Sequence, residues 1–418
     1  MSNENEKTKF IILLGDGMAD FPVPSLGNKT PLVAANTPAM DSIAESGIAG
    51  LFNPIPTGLP SGSDVGNLSC FGYDPTKTYT GRSPIEAASR HLKLGPNDIA
   101  LRCNLVTISR NETMESFTAD HISSEEGAAI IETLNEKMKQ YPVRFHNGVG
   151  YRHLGILTVE PELLEQFESI QCTPPHNIAE QPIAEYLPQG PNASLFIDMM
   201  NESKPILATH PVNQARIASG KLPATSIWLW GQGRMPVLVP YAKKFGLTGS
   251  VVSAVDIVKG VGTLAGLRIL EVPGATGYLD TDYEGKVSAA LGSLSESDFT
   301  YIHIEAPDET AHEGRADLKV QAIEDFDARV VQPCLDYLNE HPNTRILVCP
   351  DHITAIQSKA HEDGPVPFAL CGIGIEPNDV KTYSEASALA SRIDIDPGYT
   401  LIERFLTETV LTESNLIT

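Results

Sequence analysis

Apolar runs of five or six residues recur along the chain, each followed by a polar or glycine-bearing stretch. Phe10-Ile-Ile-Leu-Leu14, Phe299-Thr-Tyr-Ile-His-Ile304 and Arg345-Ile-Leu-Val-Cys349 read as buried parallel strands, which are covered on both faces and so need not alternate. Thr37-Pro38-Ala-Met-Asp-Ser-Ile-Ala-Glu-Ser-Gly47 predicts a helix with Thr37 as cap, Pro38 at the first helical position and Gly47 as a left-handed stop. Pro60-Ser-Gly-Ser-Asp-Val-Gly66 predicts a turn entering a short helix, whose first N–H groups are available to an anion. Further on, Leu318, Ala322, Phe326, Val330 and Leu335 fall near one stripe of a helix from Arg315 to Leu338. Pro367 to Cys371 predicts another strand, and Tyr399 to Leu406 a terminal helix.

Between these segments the texture changes. From Gly81 onward the pattern predicts strands at 99–108 and 151–159 and helices at 124–140 and 192–203, with joints at Thr173-Pro-Pro-His176 and Leu222-Pro-Ala224. The fold class is therefore α/β, with a core of residues 1–76 and 267–418 and an inserted domain of residues 77–266. A new strand is expected at Leu267-Arg-Ile-Leu-Glu-Val272. A length of 418 residues fits two domains.

Charge sharpens this division. The net charge of −23 disfavours nucleic acid and anionic membrane as partners. The excess of acid lies in 1–76 and 267–418, while 77–266 is close to neutral, as expected of a cation-binding core and an insert that contacts an anionic substrate. No run approaches the roughly 18 apolar residues of a membrane span, and Met1 to Lys7 is polar, so a cytoplasmic protein is expected. Six widely spaced cysteines without a C-x-x-C pair predict buried thiols. Asp280 to Leu291 imitates a calcium loop, but Leu291 stands where a bidentate glutamate is needed, and a turn entering a helix is expected. Gly260-Val-Gly262 lies in helix-like sequence, and there is no G-x-x-x-x-G-K-[ST] loop.

Asp16, Asp308 and Asp351 each follow one of the three apolar runs, and ligands of open α/β sheets gather at the carboxyl ends of strands. His312 lies four residues after Asp308, His352 adjoins Asp351, and His361 follows shortly. Two divalent ions need about six to eight protein ligands, and these six offer mixed oxygen and nitrogen donors that suit Mn²⁺ or Zn²⁺ better than Mg²⁺. A serine hydroxyl becomes a competent nucleophile when a cation lowers its pKa, and Ser63 is the candidate.

Leu13-Leu-Gly-Asp-Gly-Met18, Pro60-Ser-Gly-Ser-Asp-Val-Gly-Asn-Leu68, Phe71-Gly-Tyr-Asp-Pro75, Tyr79-Thr-Gly-Arg82, Pro273-Gly-Ala-Thr-Gly277, Ala306-Pro-Asp-Glu-Thr-Ala-His312 and Pro350-Asp-His352 resemble the archaeal-type cofactor-independent phosphoglycerate mutases of the alkaline phosphatase superfamily. The resemblance runs from Lys9 to about Phe405. It implies an alkaline-phosphatase-like core, with a largely parallel sheet flanked by helices, and an inserted smaller α/β domain. It also implies two metal ions, one held by Asp16, Ser63, Asp351 and His352, the other by Asp308, His312 and His361. Ser63 would carry the phosphoryl group as 3-phosphoglycerate becomes 2-phosphoglycerate. Arg82, Arg102, Arg152, Arg216 and Arg234 are candidates for gripping a small phosphorylated hydroxy acid or alcohol, with Arg82 and Arg102 in matching blocks, and His153, His176 and His210 for proton transfer. Trp230 stands where these mutases usually show arginine, and Thr173-Pro-Pro-His176 lacks an expected aspartate; this pattern resembles a bacterial branch proposed to act on homoserine. A monomer or small homo-oligomer is expected.

Overall fold

The computed structural model describes residues 7–417; the polar start, Met1 to Glu6, lies outside them. The chain forms two compact units, one running up to Tyr79 and again from Val237, the other Thr80–Pro236. The return to the first unit thus falls at Val237, not at residue 267. The reason is a four-residue strand, Gly249–Val252, which pairs in parallel with Phe299–Ile304 and is too short to stand out in the sequence.

In the first unit an eight-stranded sheet runs in the order Asp394–Ile395, Ile48–Phe52, Val366–Gly372, Thr344–Cys349, Lys9–Gly15, Phe299–Ile304, Gly249–Val252, Arg268–Ile269. The strands from Thr344–Cys349 to Arg268–Ile269 are all parallel, as the unbroken apolar runs require. Lys9–Gly15 lies between its two parallel partners, with Leu14 paired to His303 on one side and Cys349 on the other. Asp16, Asp308 and Asp351 therefore emerge at one end of the sheet. After Cys349 the chain forms a hairpin of Ile353–Ala355 and Ala360–Glu362, then re-enters the sheet from that same end as the antiparallel strand Val366–Gly372. This return keeps His361 beside the other donors.

Several local expectations are corrected. Thr37 makes no capping hydrogen bond; the carboxylate of Asp327 accepts the N–H groups of Ala39 and Met40 at 3.1 and 2.7 Å and caps Pro38–Ser46 instead. Gly47 is not left-handed, but a Cβ there would lie 1.9 Å from the carbonyl oxygen of Leu370, so glycine is needed for close strand packing. The helix from Ala316 is continuous to Glu340 but widens to a π turn at Asp327–Val331, just before Pro333, which has no N–H to donate. Of the strand expected at 267–272 only Arg268–Ile269 forms.

The second unit has an antiparallel sheet centred on Asp98–Ile108, flanked by Arg152–Thr158 and Ser226–Gly233, with Val143–His146 outside the former and Met114–Ser116 pairing at the far end of the central strand. Ser124–Lys137 opens with a capping box between Ser123 and Glu126, and Ala193–Ala208 packs Phe196 and Met200 into a core with Leu101, Ile131 and Trp228. Asp280 to Leu291 is the expected turn and helix, with Asp282 capping Tyr283–Ser293. Gly260 and Gly262 lie inside the helix Asp256–Leu264. The six thiols are free and none is exposed. No helix among the described residues is long and apolar enough to cross a membrane.

Candidate metal centre and active site

Among the described residues four overlapping groups of donors gather at the carboxyl end of the large sheet, and two of them hold the residues singled out in the sequence: Asp308, His312 and His361, and Asp16, Asp351 and His352. The rings of His352 and His361 adjoin, with centroids 4.2 Å apart, so the groups are neighbours.

In the first group Asp308 and His312 are one helical turn apart on Ala306–His312, and His312 Nε2 lies 3.2 Å from Asp308 Oδ2. His361 Nε2 lies 3.5 Å from Asp308 Oδ1. His312 Nδ1 is 2.9 Å from the carbonyl of Lys359, and His361 Nδ1 is 3.1 Å from that of Ser61. A carbonyl can only accept, so both Nδ1 atoms carry protons and both rings turn Nε2 toward the same point. Those two Nε2 atoms stand 3.0 Å apart, beside a carboxylate. Despite burial, the hydrogen bond and charge of Asp308 raise His312 to about 9, so a proton sits at this contact near neutral pH, and two ring nitrogens and a carboxylate converging here form a donor set that fits a transition-metal ion in that proton's place.

The second group is completely buried. Asp16 follows its strand, and Gly17 turns the chain at φ +57, where a Cβ would lie 2.3 Å from Thr354 Oγ1 and 2.6 Å from Asp308 Oδ1. Asp351 Oδ1 accepts the N–H of Gly17 at 3.2 Å, and Oδ2 accepts Asn67 Nδ2–H at 2.7 Å. His352 Nε2 is 3.3 Å from Asp16 Oδ1 and 3.6 Å from Asp351 Oδ2. Asp16 Oδ1 is buried without a hydrogen bond, an orphaned acceptor that a cation would satisfy. Burial and then the charge of Asp351 raise the Asp16 carboxyl well above its usual range. Burial raises Asp351 to about 7, with Asp308 adding to the push. Carboxylates crowded this way favour a divalent cation in their midst.

Ser63 is the first residue of the helix Ser63–Cys70, and its Oγ lies 3.1 Å from His352 Nε2. Gly66 sets this approach, because a Cβ there would lie 2.5 Å from the carbonyl oxygen of Asp351. All seven residues singled out as metal ligands or nucleophile thus come together.

Some neighbours were not foreseen. His303 Nε2–H donates to Asp16 Oδ2 at 2.8 Å, while Nδ1 accepts from Ser253 Oγ at 3.2 Å. Burial and the charge of Lys286 lower His303 to about 3, so it stays neutral. Glu305 lies beside this pair with Oε2 unbonded. Thr354 Oγ1 bridges Asp308 Oδ1 at 2.6 Å and His352 Nδ1 at 3.1 Å. The one available signal was a histidine inside an apolar strand.

The second unit sorts the arginines. Arg216 is buried with every arm engaged: Nη1 to Glu126 at 2.6 Å, Nη2 to the carbonyls of Ala119 and Asp120, Nε to that of Leu222. It ties its own unit together. Arg234 pairs with Glu168 at 2.6 Å. Arg102 is different: buried, 4.7 Å over the ring of Trp230, its Nε 3.2 Å from Glu86 Oε2 but without an aligned hydrogen bond. Arg82 Nε contacts the same carboxylate at 3.1 Å, and burial, followed by the charges of Arg82 and Arg152, holds Arg102 below its ordinary pKa although Glu86 opposes them. Arg152 is exposed beside the Tyr151 ring. His210 caps Pro211–Ala218 and contacts Thr133, His176 packs edge-on against Trp230, and buried His153 is lowered to about 4 by burial.

A sequence model described as 2,3-bisphosphoglycerate-independent phosphoglycerate mutase matches residues 44–213. The chain is 47% identical over 406 residues to a probable 2,3-bisphosphoglycerate-independent phosphoglycerate mutase of Geobacter sulfurreducens, covering 95% of this chain and 99% of that one. It is 50% identical over 364 residues to the enzyme of that name from Methanosarcina barkeri, covering 87% and 90%. Among solved structures, a cofactor-independent phosphoglycerate mutase from Thermoplasma acidophilum superposes with a TM-score of 0.62 at 26% identity over 96% of this chain and 99% of that one. Similarity of this extent at these identities establishes that the chain belongs to the 2,3-bisphosphoglycerate-independent phosphoglycerate mutase family.

Proposed function

We propose that this protein interconverts 3-phosphoglycerate and 2-phosphoglycerate through a phosphoserine at Ser63. The observation that carries the reading is the position of Ser63 Oγ, at the first residue of its helix and 3.1 Å from His352 Nε2 of the buried donor group, with the ring of His352 adjoining that of His361. Two divalent cations are proposed, one held by Asp16, Ser63, Asp351 and His352, the other by Asp308, His312 and His361, with Mn²⁺ or Zn²⁺ favoured over Mg²⁺ by the imidazoles. When bound, they supply positive charge that lowers the pKa of the serine hydroxyl and offsets charge on the phosphoryl oxygens.

Ser63 Oγ gives up its proton and attacks phosphorus in line, the bond from phosphorus to the C3 oxygen breaks, and that oxygen takes up one proton as it leaves as the glycerate hydroxyl, so the proton count is unchanged. In the second half the C2 hydroxyl oxygen loses its proton and attacks the same phosphorus, the bond to Ser63 Oγ breaks, and Ser63 Oγ regains a proton. No bisphosphoglycerate is consumed. The N-terminus of Ser63–Cys70 contributes partial positive charge toward the anion. Neutral His303, donating to Asp16 Oδ2, leaves Asp16 Oδ1 as the oxygen turned toward His352. Arg102, with Arg82 and Arg152, is proposed to bind the carboxylate and phosphate of the substrate, since the charges of Arg82 and Arg152 act on Arg102 and its buried Nε has no aligned hydrogen bond. Arg216 is not proposed for this, since its buried guanidinium is already held by Glu126 and three carbonyls of its own unit.

Phosphorus NMR tests the reading. The manganese-loaded protein is incubated with 3-phosphoglycerate and, separately, with homoserine and ATP. Appearance of the 2-phosphoglycerate resonance in the first tube alone is expected; phosphohomoserine in the second, with 3-phosphoglycerate unchanged, would replace the mutase reading with that of a phosphotransferase.

A further inference from the structure

Thr354 touches both donor groups at once. It is completely buried, and its hydroxyl lies 2.6 Å from Asp308 Oδ1 and 3.1 Å from His352 Nδ1. A hydroxyl has one proton and a carboxylate only accepts, so the chain has one direction: His352 Nδ1–H donates to Thr354 Oγ1, and Thr354 O–H donates to Asp308. The backbone holds the hydroxyl there. Thr354 is paired with His361 across the hairpin, its N–H donates to Ala19 O at 3.2 Å, and its carbonyl accepts Lys319 Nζ–H at 2.7 Å. Lys319 in turn pairs with Asp20 at 3.0 Å. Even a Cβ at Gly17 would sit 2.3 Å from Thr354 Oγ1, so nothing can wedge between the partners. Rotating the hydroxyl away would leave buried polar groups unpaired.

We infer that Thr354 is a positioning residue that couples cation binding at the two donor groups, an inference that rests on the two-cation reading above. With a cation on His352 Nε2, the ring and its Nδ1–H are fixed. That proton fixes the Thr354 hydroxyl, and the hydroxyl fixes Asp308 Oδ1, leaving Oδ2 turned to His312 Nε2 at 3.2 Å. Coupling is reciprocal, so filling the Asp308 group also prepares His352. The two ions are held, and lost, together.

The test is a chelator titration of the full-length, manganese-loaded enzyme, with retained metal counted by mass spectrometry and folding followed by circular dichroism. In the wild type both ions are expected to leave in a single step. Thr354→Val keeps the shape but not the hydroxyl; it should release its ions in two steps, the first at a roughly 10- to 100-fold lower chelator concentration. Thr354→Ser should restore the single step, which a purely packing role for the methyl group would not do. Should the valine variant fail to fold, Thr354→Cys, with only a weak donor, takes its place with the same two-step expectation. Single-step release from the valine or cysteine variant at the wild-type concentration would overturn the inference, as would two steps from the serine variant. Two separate steps from the wild type would overturn the coupling alone, while a wild type that holds one ion or none would overturn the two-cation reading and the coupling with it.

Discussion

Arg102 and Arg216 are both buried guanidiniums of the second unit, and their partners assign them opposite parts. Removing Arg216 strands the carbonyls of Ala119, Asp120 and Leu222, so Arg216→Ala should cost roughly 2 to 4 kcal/mol of stability in denaturant unfolding, with KM of the folded enzyme unchanged. Arg102→Ala should leave the unfolding midpoint nearly in place and lower kcat/KM by an amount equivalent to roughly 2 to 4 kcal/mol. The reverse pattern would exchange their roles. A second residue-scale prediction concerns His312. Burial pulls its pKa down, but the hydrogen bond and charge of Asp308 carry it up to about 9. A cation must displace that proton, so below pH 9 binding releases it and apparent metal affinity falls as pH falls, by about tenfold per pH unit. Calorimetry in buffers of different ionisation enthalpy measures the released proton; affinity independent of pH between about 7 and 9 would remove His312 from the ligands.

At the scale of elements, the centre depends on backbone packed against backbone. Gly66→Ala would place a Cβ 2.5 Å from Asp351 O, pushing the Ser63 helix off the metal loop. The fold should survive while kcat falls by about 100-fold, since a shift near 1 Å is enough to misalign in-line attack. Wild-type kcat in that variant would mean that the helix position is not critical. Asp16, Asp308 and Asp351 could be read in the sequence because each follows an apolar run, and parallel strands deliver their ends to one place. His303, Thr354 and Asn67 could not, because each sits in a segment whose apolar neighbours already account for its burial, and only the fold reveals the partner it faces. Nor could sequence separate Arg216 from Arg102, which are the same chemical group with different tertiary partners. The Thr37 cap failed for a related reason: Asp327, a carboxylate from a distant helix, outcompeted the local hydroxyl at the same N–H groups.

Across the whole molecule, the acid excess and the metal ligands share one unit, and the arginines proposed for substrate belong to the other. Ions that bind only the folded state stabilise it by about 2.7 kcal/mol per site at a hundredfold excess over Kd. Chelation should therefore lower the melting temperature by roughly 5 to 10 °C, and hydrogen exchange should rise in the segments around Asp16, Asp308 and Asp351 while the core strands of Thr80–Pro236 keep their protection. Unchanged exchange around those aspartates would place the ions elsewhere. The central claim is covalent transfer to Ser63, and its most direct test is mass spectrometry of enzyme quenched during turnover of 3-phosphoglycerate, with Ser63→Ala assayed in parallel. Phosphate should appear on the peptide containing Ser63, and the alanine variant should fold, retain most of its metal and show no turnover; an alanine variant that interconverts the phosphoglycerates at a comparable rate would contradict the account.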